Sequence, residues 1–274
     1  MPTDPRDAPI TSVTNPRVKA LVALRGRRRA RQEQGVTLVE GYEELDLALT
    51  AGVAPTELYL CPELSAGDPR DVAVRAEQAG AQVHRLGRLA FEKAAYREGP
   101  DGWLAVVPDI ETALADLPED PNPLVVVCGS VEKPGNLGSI LRTADAAGVT
   151  AVISVDPVTD WGNPNVVRAS KGAVFSVPVA SCDTAAFLAW ARERGLTVVA
   201  TTPDTDEYVA GLDLSGPTAV LVGSEKHGLS GELLAAADIR AKLPMFGRVD
   251  SLNVAVTAAV VTYECVRQRM ATGA

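Results

Sequence analysis

The chain of 274 residues is 46% hydrophobic and 22% charged, with a net charge of −9. That balance supplies a buried core for one large domain or two ordinary ones and excludes a disordered chain. No apolar run is long enough to span a bilayer, and no apolar stretch follows a basic start as in a secretory signal.

The four cysteines, Cys61, Cys128, Cys182 and Cys265, are widely scattered without metal or redox spacing. They are expected to be buried structural thiols of a soluble cytoplasmic protein that holds no metal.

The negative charge argues against a nucleic-acid partner, but its distribution does not. From Ala8 to Gln32 no acidic residue occurs, while Arg17, Lys19, Arg25, Arg27, Arg28, Arg29 and Arg31 all fall there. The stretch is +7, leaving −16 on the remainder. Such a patch on an acidic body can hold phosphates with release of counterions; a solvated helix face is the bland alternative. Val18, Leu21, Val22 and Leu24 are spaced as one helical face, which docks the helix and points the arginines outward. RNA contact is expected from these seven cations.

Strands are predicted over 36–39, 57–60, 82–84 and 103–107, with helices over 42–51 and 69–79. Gly52 and Gly80 stop the two helices. Pro108, Pro118, Pro121 and Pro123 then alternate with acidic residues. Proline gives no amide donor and resists helix, so residues 109–123 read as a linker with a short helical turn at 112–117. The expected organisation is an N-terminal domain, 1–108, and a second domain, 124–274.

In the second domain Leu124-Val125-Val126-Val127-Cys128 is apolar throughout, as in a strand buried on both faces of a parallel sheet. A helix is predicted over 136–147, strands over 151–155, 197–201, 219–222 and 241–243, and helices over 184–194 and from Ser251 to about Met270. The alternation indicates a doubly wound α/β sheet.

Three polar loops follow apolar strands, and open α/β sheets bind ligands beyond their strands' carboxyl ends. In the first, Pro134-Gly135-Asn136-Leu137-Gly138, glycines should bend the chain sharply into a helix. It is neither a dinucleotide fingerprint nor a phosphate loop of the Gly-Lys-Ser/Thr kind. Arg142, one to two turns on, is either a surface arginine or a bidentate grip on phosphate. In the second loop, Glu225 either serves a site or caps the next helix, and Lys226-His227 reads as an exposed tip. In the third, Ser251 is the predicted N-cap and Asn253 lies inside the first helical turn, where it is a mediocre helix former.

Three segments together resemble the SpoU (TrmH-like) family of the SPOUT superfamily: Pro134 through Ala144, Gly223-Ser224-Glu225-Lys226-His227-Gly228-Leu229-Ser230, and Leu243-Pro244-Met245 through Ser251-Leu252-Asn253-Val254-Ala255-Val256. Asn15-Pro16-Arg17-Val18-Lys19 and Leu38-Val39-Glu40-Gly41 are similar to the substrate-binding domain often attached to that family. The resemblance implies a parallel sheet with a deep trefoil knot, a homodimer, and S-adenosylmethionine-dependent methylation of a ribose 2′-OH in RNA, ribosomal RNA before transfer RNA. It implies catalytic roles for Asn136, Arg142, Glu225, Ser251 and Asn253. It implies a cofactor site formed by Thr201, Thr202, Gly223, Leu243, Met245, Ser251 and Leu252.

Overall fold

In the computed structural model, which describes residues 8–272, the chain packs as two compact units. One comprises residues 8–110 with Asp160–Ser176, the other Glu111–Thr159 with 177–272.

The first unit is built on β1 (Val36–Glu40), β2 (Glu57–Leu60), β3 (Gln82–Arg85) and β4 (Trp103–Pro108), in the order β1-β4-β2-β3. Strand β4 runs antiparallel to both neighbours, and β2 is parallel to β3. Helix α1 (Pro16–Gly26) starts where its sequence says it should: the Asn15 side chain accepts the Arg17 amide, and proline takes the first helical position. Val18, Leu21 and Leu24 share a core with Leu38, Tyr59, Phe91 and Leu104, whereas Val22 is only half-buried. The basic stretch is not one helix. The chain turns extended at Arg27 and resumes as α2 (Arg28–Gln34), which Gly35 ends at φ 63°. Helices α3 (Tyr42–Thr50), α4 (Val72–Gln78) and α5 (Arg88–Ala94) complete the layer.

The second unit carries a six-stranded, wholly parallel sheet. Its strands are β5 (Leu124–Gly129), β6 (Ala151–Val155), β7 (Val179–Cys182), β8 (Thr197–Thr201), β9 (Thr218–Gly223) and β10 (Ile239–Ala241), in the order β10-β8-β9-β5-β6-β7. Every residue of β5 and β6 is buried, as the unbroken apolar runs require of strands covered on both faces. Val125, Val127, Ile153, Phe187, Ala219 and Leu221 centre the core on one side. On this sheet pack α6 (Pro134–Ala147), α8 (Thr184–Glu193), α9 (Gly231–Ala236) and the long α10 (Val254–Thr272), with α10 lying against α6, β9 and β5.

Several boundaries differ from expectation, two of them beside the carboxyl ends of the second unit's strands. The last strand sits at Ile239–Ala241 rather than 241–243, because residues 239–241 take the register beside Val199–Thr201. Helix α10 begins at Val254, three residues after Ser251. Asn253 is the capping residue: its Oδ1 accepts the Ala255 amide and its carbonyl accepts that of Thr257. Ser251 Oγ donates instead to Asp250 Oδ1.

Segment Asp160–Ser176, between β6 and β7 in sequence, belongs by packing to the first unit. Its helix α7 (Pro164–Ala169) rests on β1. Arg31 Nη2 donates to both carboxylate oxygens of Asp160 at 3.0 Å and its Nη1 to the Leu24 carbonyl, and Thr37 Oγ1 donates to the Gly162 carbonyl. Gly172, at φ 84°, lies against the main chain of Glu44, so a side chain there would be both strained and crowded.

Candidate active site

The chain leaves β5 toward one edge of the sheet and returns to place β9 on its other side, so the crossover switches direction between these two strands. Open α/β sheets bind ligands at such a point. The last register step pairs Gly129 with Gly223, which sets the loop after β5 beside the loop after β9. Gly223 is obligatory there, since a Cβ would collide with the main chain of Gly228 and Leu229 as the loop folds back through Ser224 and Gly228.

Three of the expected catalytic residues meet at this point. Asn136, in the first turn of α6, donates through Nδ2 to Glu225 Oε1 and accepts at Oδ1 from Asn253 Nδ2 at 3.2 Å. Both ends of the Asn136 amide are thus engaged, one by the loop after β9 and the other by the start of α10. The Glu225 carboxylate lies beside the positive end of α6, where a negative charge is favoured. It does not cap the following helix, because Ser230 does so by accepting the Leu233 amide. Lys133 Nζ stands 3.4 Å from Glu225 Oε1 and is the residue of this cluster that sequence reading missed. The available signal was a cation directly before the helix-opening Pro134.

Two expected residues do not join the cluster. Arg142 is exposed on α6 with no ion pair to a described residue. Six residues beyond Asn136, it projects about 9 Å along the helix and about 240° round it. Ser251 is exposed and bonded to its neighbour Asp250. Gly135 also needs correction: helix α6 already starts at Pro134, and nothing lies within 4 Å of a Cβ placed on Gly135. The loop is not a glycine-bent turn. His227 is exposed at a loop tip, as expected.

The expected cofactor residues line the carboxyl ends of three neighbouring strands. Thr201 ends β8 and bonds the Leu221 carbonyl, the Thr202 amide bonds the Ala241 carbonyl, and Gly223 ends β9. Beyond β10, Leu243 and Met245 are half-buried and Leu252 is exposed. Among the described residues, no main-chain amide from Leu243 to Leu252 donates to another main-chain carbonyl. Apolar side chains beside free backbone donors and acceptors fit a ligand that combines a flat base with an aliphatic chain. No group of three or more metal-ligating side chains occurs among the described residues.

The seven expected RNA-contacting cations divide sharply. Arg31 is 3% exposed and bound to Asp160. Arg25 donates to the carbonyls of Lys93 and Ala95, and Arg17 pairs with Glu57 at 2.8 Å. Arg28 stands 3.7 Å from Asp160, and Arg29 pairs with Glu33 while remaining largely exposed. Lys19 and Arg27 are exposed.

Comparison with known proteins identifies the family. A family model described as the SpoU rRNA Methylase family matches residues 123–263, and one described as the MRM3-like substrate binding domain matches 15–105. The chain belongs to the SpoU rRNA methylase family. The SpoU match takes in all three loops, and the family implies the trefoil knot. Among relatives, a 23S rRNA (guanosine(2553)-2′-O)-methyltransferase, RlmP, of Bacillus subtilis is 30% identical over 93% of this chain and 97% of its own. A 23S rRNA (uridine(2479)-2′-O)-methyltransferase of Streptomyces viridochromogenes is 32% identical, covering 93% and 91%. The crystal structure of an AdoMet-bound rRNA methyltransferase from Sinorhizobium meliloti superposes with a TM-score of 0.86 at 32% identity, over 95% of this chain and 97% of that one.

Proposed function

We propose that this chain transfers a methyl group from S-adenosylmethionine to a ribose 2′-OH in structured RNA, with ribosomal RNA as its substrate. The observation that carries the reading is the meeting of Asn136, Glu225 and Asn253 from three separate loops at the switch point of a SpoU-family sheet. S-adenosylmethionine, held by Leu243, Met245, Leu252 and the main chain at Thr201, Thr202 and Gly223, supplies an electrophilic methyl group.

The remaining work falls to the chain's own residues. The 2′-OH must be held in line with the methyl group, and such positioning supplies much of the rate. Asn136 and Asn253 suit that task because their amides are fixed by each other and by Glu225. Arg142 grips a substrate phosphate and stabilises the developing alkoxide. The 2′-OH proton leaves to the gripped substrate phosphate or to water more readily than to Arg142, since a guanidinium hardly deprotonates in a protein.

The first unit recognises RNA, with Lys19, Arg27, Arg28 and Arg29 at its surface. The active form is a homodimer in the cytoplasm. Exposed Val256, Val260 and Tyr263 fall on one face of α10, and burying that stripe against a second copy removes apolar surface from water. Sedimentation equilibrium is expected to give twice the mass of the chain.

The direct test supplies methyl-labelled S-adenosylmethionine, purified protein and unmodified ribosomal RNA, followed by mapping of alkali-resistant linkages. A labelled 2′-O-methyl nucleotide is expected. Label on a base, or none on any RNA, would refute the assignment.

A further inference from the structure

Lys133 stands outside every role assigned above, yet it touches the centre of the site. Its ammonium lies 3.4 Å from Glu225 Oε1, the oxygen that also receives the Asn136 amide. The lysine side chain is 71% exposed and that of Glu225 25% exposed, so the cation faces solvent on the side away from the carboxylate. Its base is rigid, because the Lys133 carbonyl accepts the amides of Asn136 and Leu137 at the start of α6. An ammonium has three donors, and one suffices for Glu225. An exposed ion pair of this kind contributes only about 0–1 kcal/mol, which is a weak reason for a lysine to stand there.

We propose that Lys133 binds the backbone phosphate adjoining the target ribose, bridging that phosphate to Glu225. A ribose presented to Asn136 carries its own 3′ phosphate next to the 2′-OH, so the anion arrives within reach of the ammonium. Lys133 fixes where the RNA enters, and Glu225 keeps the ammonium aimed. This inference rests on the active-site reading above.

The test uses the full chain with unmodified ribosomal RNA and compares Lys133→Ala, Lys133→Arg and Asn136→Ala. For Lys133→Ala, KM for RNA should rise on the order of tenfold while kcat falls far less. The slope of log affinity against log salt should shrink by about 0.7–0.9, the share of one phosphate contact. Lys133→Arg should restore both. An unchanged KM and salt slope would overturn the proposal. So would a loss confined to kcat or to S-adenosylmethionine affinity, which would mark Lys133 as a structural prop for Glu225. Asn136→Ala is the separate control: if its turnover stays normal, the active-site reading itself fails and the inference falls with it.

Discussion

A carboxyl group with no exposed surface and one oxygen left without a partner is costly to ionise, and Glu40 is such a group. At the end of β1, its Oε2 accepts the Tyr96 amide at 2.7 Å while Oε1 has no hydrogen-bond partner among the described residues. Burial pushes its pKa from the ordinary 4.5 up to about 7, against the lowering effects of the Tyr96 amide and the Arg97 charge. Between those two values the folded chain binds more proton than the unfolded chain, so stability falls as pH rises through the window and levels off above it. Glu40→Gln keeps an acceptor for Tyr96 and removes the buried charge. It is expected to stabilise the protein at pH 8 by on the order of 1–3 kcal/mol and to be near neutral at pH 4.5. Urea denaturation of both proteins at the two pH values checks this, and an equal difference at both would contradict it. The same burial pushes the Cys128 thiol up to about 12 and the Cys265 thiol to about 11, which keeps them protonated and inert, as their scattered positions suggested. Asn253 was legible as a residue needing a reason to be where it is. The reason is partly local, since it caps α10, and only its Nδ2 serves the site.

At the level of elements, the buried strands of the second unit were readable because apolar runs of four to six residues leave no other use for themselves. Strands β2, β6 and β8 fall where their residues place them. Helix α7 and the helix break at Arg27 were not readable, because tertiary contacts create both. A run of arginines looks the same whether it faces RNA or anchors a distant segment. Arg31 does the latter, with Asp160 as its partner 129 residues away. Arg31→Ala takes from Asp160 its buried partner, leaving only Arg28 at 3.7 Å, and is expected to cost about 1–3 kcal/mol, while Arg29→Ala, at an exposed site, should cost under about 1 kcal/mol. Equilibrium denaturation of the full chain separates them; a similar small loss for both would remove Arg31 from the structural role. One consequence concerns truncation. Cutting at Pro108 strands Asp160–Ser176, so the second unit alone would expose Val166 and Val167, which are buried in the intact chain.

For the whole molecule, the three loops lie far apart in sequence and become one site only through the strand order β10-β8-β9-β5. Residue types at the site were visible in the sequence, but the Asn136–Glu225 and Asn253–Asn136 bonds depend on a crossover that periodicity does not encode. Nor do connection rules lead to a knot, since knotted chains are rare. Arg142 is where the functional reading is most exposed to test, because no described residue pairs with its guanidinium. Single-turnover methyl transfer from S-adenosylmethionine to ribosomal RNA, measured beside cofactor binding, should show Arg142→Ala slowed by about 10²–10³ with cofactor affinity unchanged. Near-normal transfer by that variant, or a loss of cofactor binding that accounts for its defect, would contradict the placement of the active site.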